Sequence, residues 1–194
     1  MQRRSFLLSA AAGAVAAPFA GAAQASAVSV RGPALLTVSG AFPGGNRPGV
    51  GPLDQLMHKH GVQFEHAHAF DYAALLALPA QGIEPVLEYD GQPHVLSGPL
   101  LTTVLKAAGV GLHDALLVLR ALDGYTVQLT LEEARQTRMI VATHLDGAPL
   151  PLGGVGPLWA LYDPARVPGL LDRPLGARFA RCPWGVYHIE VLLD

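Results

Sequence analysis

Histidine is the residue type whose spacing most directly suggests chemistry in this chain. Four of its eight histidines lie close together, at His58, His60, His66 and His68. In Glu65-His66-Ala67-His68 the spacing of two places both imidazoles on one face of a strand, where they can chelate zinc or copper. His58 and His60, if helical, point in different directions and do not join them. The pattern predicts a transition-metal site at His66 and His68 or, alternatively, a solvated polar loop.

The chain has one cysteine, Cys182, followed by Pro183. A single cysteine excludes an internal disulfide, so the stability of the fold must come from packing. A thiolate here could bind a haem iron or another soft metal. The alternative is a small buried apolar side chain.

Two further patterns bear on catalysis. Asp123-Gly124-Tyr125 offers an acid and a phenol, but Asp-Gly forms turns for local reasons, and a turn is the favoured interpretation. The sequence contains neither Gly-x-Ser-x-Gly nor a glycine-rich loop ending in Lys-Ser or Lys-Thr. Serine hydrolases of that type and phosphate-loop nucleotidases are therefore excluded.

The first residues have the three parts of a secretory signal. Arg3-Arg4-Ser5-Phe6-Leu7 is followed by a run of Ala, Gly and Val that ends at Ala25-Ser26-Ala27. A charged start, an apolar middle and a small-x-small end predict a cleaved signal over residues 1–27, and the paired arginines indicate the twin-arginine route. Pro18 and the Ala/Gly-rich composition make a membrane anchor, the alternative, marginal. We expect a periplasmic or otherwise extracytoplasmic protein that meets the membrane only during export.

Composition places the remaining residues, 28–194, in one domain with its own core. Hydrophobic residues make up 51% of the chain and charged residues 14%. Loss of Arg3 and Arg4 changes the formal net charge from −2 to about −4. A chain with this charge is not expected to bind nucleic acid or anionic lipid.

Hydrophobic periodicity predicts strands alternating with short helices. Strands are expected at residues 35–38, 83–89, 116–122, 125–129, 139–145, 158–162 and 186–192. Helices are expected at residues 53–60, 72–78 and 99–108, and after Thr130. Asp71 is the expected N-cap of the second helix, and Thr130 with Glu133 forms a capping box. The sum is an α+β domain with a mixed, mainly antiparallel sheet and short helices.

The order of several motifs resembles one known family. The motifs lie at residues 70–79 (FDYAALLALP), 97–101 (SGPLL), 123–125 (DGY), 131–134 (LEEA), 141–150 (VATHLDGAPL), 156–159 (GPLW) and 184 (W). Their order and spacing resemble the molybdopterin-binding domain of the sulfite oxidase family, in its short bacterial form, over nearly all of residues 28–194. The resemblance implies a sulfite oxidase-type fold. In catalytic members it also implies a molybdenum held by one pterin dithiolene and one cysteine thiolate, which acts on a small oxo-anion or sulfoxide.

The sequence departs from this family at the metal ligand. The ligand cysteine of the family corresponds to the stretch 84–89, which contains none; if this stretch is a strand, Glu84 and Glu88 share a face and line the cavity or face solvent. Cys182 falls near the expected phosphate end of the pterin, beside Trp184. Trp159 and Trp184 are the core aromatics expected near the cavity. The candidates for the phosphate-binding residues are Arg173, Arg178 and Arg181. The predicted cofactor-binding residues are Glu88, Tyr89, Arg178, Arg181, Cys182 and Trp184.

Two functions follow. The first is an exported molybdopterin-dependent oxidoreductase-like protein that lacks the usual ligand cysteine. The alternative is a non-catalytic binding or sensory module of the cell envelope, which uses the former cofactor cavity or the histidine segment for a small molecule, an anion or a metal, and reports to an envelope protein.

Overall fold

A computed structural model describes residues 31–111 and 114–193. The predicted signal at residues 1–27 lies outside the described residues. The strands are β1 (Ala34–Gly40), β2 (Arg47–Pro48), β3 (His66–Asp71), β4 (Ala80–Ile83), β5 (Leu96–Pro99), β6 (Ala115–Ala121), β7 (Thr126–Thr130), β8 (Ile140–Ala142), β9 (His144–Leu145), β10 (Ala148–Pro149), β11 (Trp159–Leu161) and β12 (Val186–Leu193). The helices are α1 (Gln55–Lys59), α2 (Tyr72–Leu76), α3 (Leu101–Ala108) and α4 (Leu131–Gln136). Within the described residues, no helix is long and apolar enough to cross a membrane.

The largest sheet has six strands in the order β2-β3-β1-β12-β6-β7. Its pairs are antiparallel except β1 with β12, which run parallel with Val38 opposite Ile189. Leu36 and Val38 point from β1 into the core, and Thr37 and Ser39 point to the opposite face, as the two-residue period of a strand requires. The predicted α+β class with mainly antiparallel pairing is confirmed.

A four-stranded sheet, β10-β9-β5-β4, and the pair β11-β8 complete the described sheets. The approach of β5 to β8 depends on Gly98. A Cβ atom at this position would lie 2.0 Å from the carbonyl oxygen of Val141, which is far inside van der Waals contact. Residues of the six-stranded sheet and of β8 and β11 contribute to one apolar core.

The predicted N-caps of α2 and α4 are confirmed, whereas α1 and α3 begin two residues later than expected. The Asp71 carboxylate accepts the Ala74 N–H at 2.8 Å, and its other oxygen accepts the N–H groups of Arg31 and Gly32. These hydrogen bonds lower the pKa of Asp71. Thr130 and Glu133 form the complete capping box of α4.

The predicted strand at residues 83–89 is wrong. Strand β4 ends at Ile83, and the chain then forms a loop closed by the hydrogen bonds Leu87 N–H to Gln92 carbonyl and His94 N–H to Pro85 carbonyl. Pro85 lacks the N–H that a continuous ladder would need, so the regular β4 pairing stops at Ile83 and resumes only as a single antiparallel bridge between Val86 and Pro93. Glu88 lies in the turn at the tip of the loop and Glu84 is exposed just before Pro85, so one strand does not hold the two glutamates.

A polar network crosses the second face of the six-stranded sheet. His188 Nε2 lies 2.9 Å from Ser39 Oγ, Arg120 donates to His188 Nδ1 at 3.3 Å, and Arg120 also binds Glu190. Burial lowers the pKa of His188 to about 3, so the ring is neutral. The Arg120 guanidinium donates a hydrogen bond to Nδ1 of His188, so Nδ1 is an acceptor without a proton. The proton of the neutral ring is therefore on Nε2, which donates to Ser39 Oγ. The histidine therefore cannot act as a base toward this serine.

Candidate ligand-binding cavity

A cavity of about 250 Å³ opens where three distant parts of the chain meet. The first is the turn at the tip of the β4–β5 loop, the second the β6–β7 turn, and the third the segment before β12. The lining residues are Glu88, Tyr89, Asp123, Tyr125, Phe179, Ala180, Cys182, Pro183 and Trp184.

A buried tryptophan holds two of these parts together. Trp159, on β11, is 1% exposed, and its indole N–H donates to the Cys182 carbonyl at 2.9 Å. Its ring centroid lies 6.2 Å from that of Tyr89 and 6.2 Å from that of Phe179. This packing fixes the wall of the cavity to the core.

The β6–β7 turn is tied to the same wall. The Asp123 carboxylate accepts the Tyr125 N–H at 2.8 Å, which shapes the turn. The Tyr125 hydroxyl donates to the Ala180 carbonyl across 55 positions of sequence. The predicted turn is therefore confirmed, and its phenol also reaches the segment before β12.

Aromatic side chains remain accessible at the cavity. Tyr89 is 57% exposed, Tyr125 49% and Trp184 38%. Partial burial and the neighbouring Glu88 carboxylate raise the pKa of Tyr89, so its phenol stays neutral. Exposed aromatic surface beside a concave site is a common feature of ligand-binding surfaces.

The charge of the lining is negative. It carries the carboxylates of Glu88 and Asp123, and no Lys, Arg or His occurs among the lining residues of the described chain. A cavity with this lining disfavours anions and favours cations.

Cys182 lies at the cavity, but its thiol is not reactive. The residue is 4% exposed, and burial raises the pKa of the thiol to about 12. The thiol is therefore protonated at neutral pH. This agrees with the alternative interpretation of Cys182 as a small buried side chain.

None of the three candidate phosphate-binding arginines, Arg173, Arg178 and Arg181, lines the cavity. Arg181 binds both carboxylate oxygens of Glu133 at 2.8 and 3.1 Å, and donates to the Gln128 carbonyl. Arg178 donates to the carbonyls of Leu171 and Arg173. Neither guanidinium lines the cavity, because each is held by partners outside it.

Of the predicted cofactor-binding residues, the structure thus brings Glu88, Tyr89, Cys182 and Trp184 together at the cavity. Sequence reasoning did not include Asp123, Tyr125, Phe179, Ala180 and Pro183 in this site. The Asp-Gly-Tyr pattern was the available signal for two of these residues, but a turn motif does not reveal which distant segment the turn will contact.

The histidines of the segment 58–68 make separate contacts with different parts of the chain. His66 is exposed and its Nε2 lies 3.0 Å from the Phe42 carbonyl, while His68 is half-buried against the Phe70 ring, with a pKa lowered by burial. His60 binds the Tyr187 hydroxyl. In residues 31–111 and 114–193, no three or more His, Cys, Asp or Glu side chains are grouped to hold a metal ion. Metal binding at His66 and His68 stays a prediction.

The lining does not fit the molybdenum cofactor that the family resemblance implies. Such a group needs a soft thiolate ligand and cations around its phosphate. The cavity instead offers a protonated thiol and two carboxylates, and none of the three candidate arginines lines it. Burying a phosphate beside Glu88 and Asp123 without a cation is unfavourable.

Comparison with known proteins gives structural matches but no match by sequence. No protein-family model matches the chain, and no curated protein matches it. Among solved structures, the sulfane dehydrogenase SoxCD from Paracoccus pantotrophus is similar, with a TM-score of 0.51 and 13% sequence identity. The match covers 81% of this chain and 37% of that chain, so this chain spans less than half the length of the dehydrogenase chain. At this identity the likeness shows a shared fold and nothing of the activity.

Proposed function

We propose that this chain is a small-molecule-binding module built on a sulfite oxidase-type fold, and that its cavity holds a ligand in place of molybdopterin. The observation that carries the proposal is the lining, which combines accessible aromatic rings with two carboxylates and lacks a thiolate and a cation. Such a site can bind a small molecule but lacks the thiolate by which the family holds molybdenum.

The family resemblance and the structural likeness to a dehydrogenase both support an oxidoreductase origin of the fold. A fold can be retained after its chemistry is lost, and the absence of the ligand cysteine from residues 84–89 is the expected result. In this proposal the module works outside the cytoplasm and reports to an envelope protein. The twin-arginine pattern at Arg3 and Arg4 supports export.

The second candidate is a molybdopterin-dependent oxidoreductase, which the same fold likeness favours. It would require Glu88, Tyr89 or solvent to replace the cysteine ligand. Stoichiometric pterin in the purified protein would support this candidate over the binding module.

A cavity-filling substitution tests the binding module. Ala180 is exposed and lines the cavity, so Ala180→Phe should fill part of it. Ala177 is exposed on the neighbouring 3-10 turn and does not line the cavity, so Ala177→Phe is the matched control. Thermal unfolding is measured against a panel of small cations, anions and neutral molecules.

We expect at least one panel member to raise the melting temperature of the unmodified chain and of the Ala177→Phe variant. The same molecule should have no effect on Ala180→Phe. If no molecule stabilises the chain, or if Ala180→Phe responds like the control, the cavity is not the binding site and the proposal is wrong.

A further inference from the structure

We infer that the ligand of this cavity is a small organic cation, such as a quaternary ammonium compound. The inference rests on the proposed function, because it names the chemical class of the molecule that the cavity holds. It is carried by two independent features of the lining: its charge and its aromatic surface.

The charge of the cavity is not neutralised by the protein. Neither Glu88 nor Asp123 forms a salt bridge with a residue in the described ranges. Asp123 uses Oδ1 for the Tyr125 N–H, which shapes the turn without cancelling the charge. The nearby Arg181 is paired with Glu133 and does not line the cavity. A bound cation would supply the missing positive charge.

The aromatic surface supplies the second attraction. Tyr89, Tyr125 and Trp184 are accessible at the cavity, and Phe179 lines it. The faces of aromatic rings attract cations, and quaternary ammonium groups are commonly recognised by several rings together. An organic cation satisfies the carboxylates and the rings at once, whereas an anion or a neutral molecule does not.

Two other ligand classes fit less well. A bare metal ion needs several converging ligands, and no group of three or more His, Cys, Asp or Glu side chains is arranged for one within the described parts of the chain. A protein segment is too large for a cavity of about 250 Å³. A small methylated amine matches both the volume and the charge.

The test uses a pair of probes with the same shape and different charge. Choline carries a trimethylammonium group, and 3,3-dimethylbutan-1-ol replaces it with a neutral tert-butyl group. Binding of each probe to the full chain is measured by isothermal titration calorimetry, with sulfite as an anionic probe. We expect choline to bind at least about tenfold more tightly than the alcohol, and sulfite not to bind.

Variants then assign the effect to the cavity. Glu88→Gln and Asp123→Asn keep the size of the side chain and one acceptor oxygen while removing the charge, and each should weaken choline binding about fivefold or more. Trp184→Ala should weaken it by a similar factor. Glu65→Gln, an exposed carboxylate away from the cavity, is the matched control and should bind choline normally. Because the probe comparison uses the unmodified chain, it remains decisive if a variant fails to fold.

The outcomes separate the inference from the proposed function. Equal binding of choline and the alcohol, or unchanged choline binding by both Glu88→Gln and Asp123→Asn, overturns the inference that the ligand is a cation. If no organic cation binds but an anion or a neutral molecule of the panel does, and Ala180→Phe blocks that molecule, the inference is overturned while the binding module survives. If nothing binds, both fail.

Discussion

At the scale of single residues, burial decides which groups can react. Cys182 and His188 are the side chains most suggestive of nucleophilic chemistry, and desolvation keeps both uncharged: it raises the pKa of the thiol and lowers that of the imidazole. Sequence reasoning identified Cys182 as notable but could not choose between a metal ligand and a buried side chain. That choice depends on the surrounding tertiary packing, to which Trp159 and Phe179 belong.

The first prediction concerns the reactivity of this thiol. Since the pKa of Cys182 is about 12, the native chain should react with a disulfide reagent at least about a hundredfold more slowly than the urea-unfolded chain, and its rate should keep rising through mildly alkaline pH, where the rate of the unfolded chain levels off. The measurement is the rate of thiol modification in each state. Rapid modification of the native chain near neutral pH would show an activated thiolate and contradict the structure.

A glycine comparison tests the packing of two strands. Gly98→Ala places a Cβ 2.0 Å from the Val141 carbonyl oxygen, whereas a Cβ at Gly82 on the adjacent strand meets nothing within 4 Å. We expect Gly98→Ala to destabilise the fold by about 3 kcal/mol or more. Gly82→Ala should change stability by less than about 1 kcal/mol. Urea denaturation of both variants measures the difference, and equal stabilities would contradict the close approach of β5 and β8.

At the scale of elements, local signals predicted helix ends better than strand partners. Asp71 and Thr130 cap their helices as expected because capping depends on residues three or four positions apart. The strand expected at residues 83–89 does not form, because Pro85 interrupts the ladder and the following residues hydrogen-bond within their own loop, as Leu87 N–H does to the Gln92 carbonyl. The loop therefore places Glu88 and Tyr89 at the cavity, a position that no local sequence pattern predicts.

The capping box allows a quantitative prediction. Thr130→Ala removes the side-chain acceptor for the Glu133 N–H and should lower the free energy of unfolding by about 1 kcal/mol. Thr102→Ala, a partly exposed position inside α3, is the control and should change stability by less than about 0.5 kcal/mol. Both values come from urea denaturation. Equal effects of the two substitutions would show that the cap contributes nothing.

A histidine clamp, formed by His94, connects the β4–β5 loop, which carries Glu88, to the β9–β10 turn. His94 Nδ1 binds the Asp146 carboxylate at 2.6 Å and its Nε2 binds Asp90 at 2.8 Å. The carboxylate of Asp146, and then that of Asp90, raises the pKa of His94 above 6.5. The stabilisation of the loop by protonated His94 is therefore complete below pH 6.5 and is lost as the pH rises through the raised pKa of His94.

We expect amide exchange in residues 84–95, corrected for its intrinsic pH dependence, to be slowest in mildly acidic solution and faster at alkaline pH. The pKa values of Asp90 and Asp146 are lowered, mainly by hydrogen bonds from Gln92 N–H and His94, so strong acid should also release the clamp. His94→Gln should remove the alkaline change. Exchange in this loop that does not depend on pH in the unmodified chain would exclude the clamp.

At the scale of the whole molecule, the fold class could be predicted and the assembly of the site could not. Alternating apolar residues and turn motifs indicated an α+β domain. The parallel pairing of β1 with β12 joins strands about 150 positions apart, as shown by Thr37 opposite His188, and the cavity likewise joins three distant segments. Such contacts depend on the packed core, and sequence spacing alone does not specify them.

The central claim is that this cavity holds a small ligand in place of molybdopterin. The most direct test is native mass spectrometry of the folded chain, purified after export from a host that makes molybdopterin. The account predicts the mass of the polypeptide alone or with a small cation that choline exchanges. A stoichiometric mass increment equal to molybdenum with its pterin, retained by the unmodified chain and lost in Ala180→Phe, would contradict it.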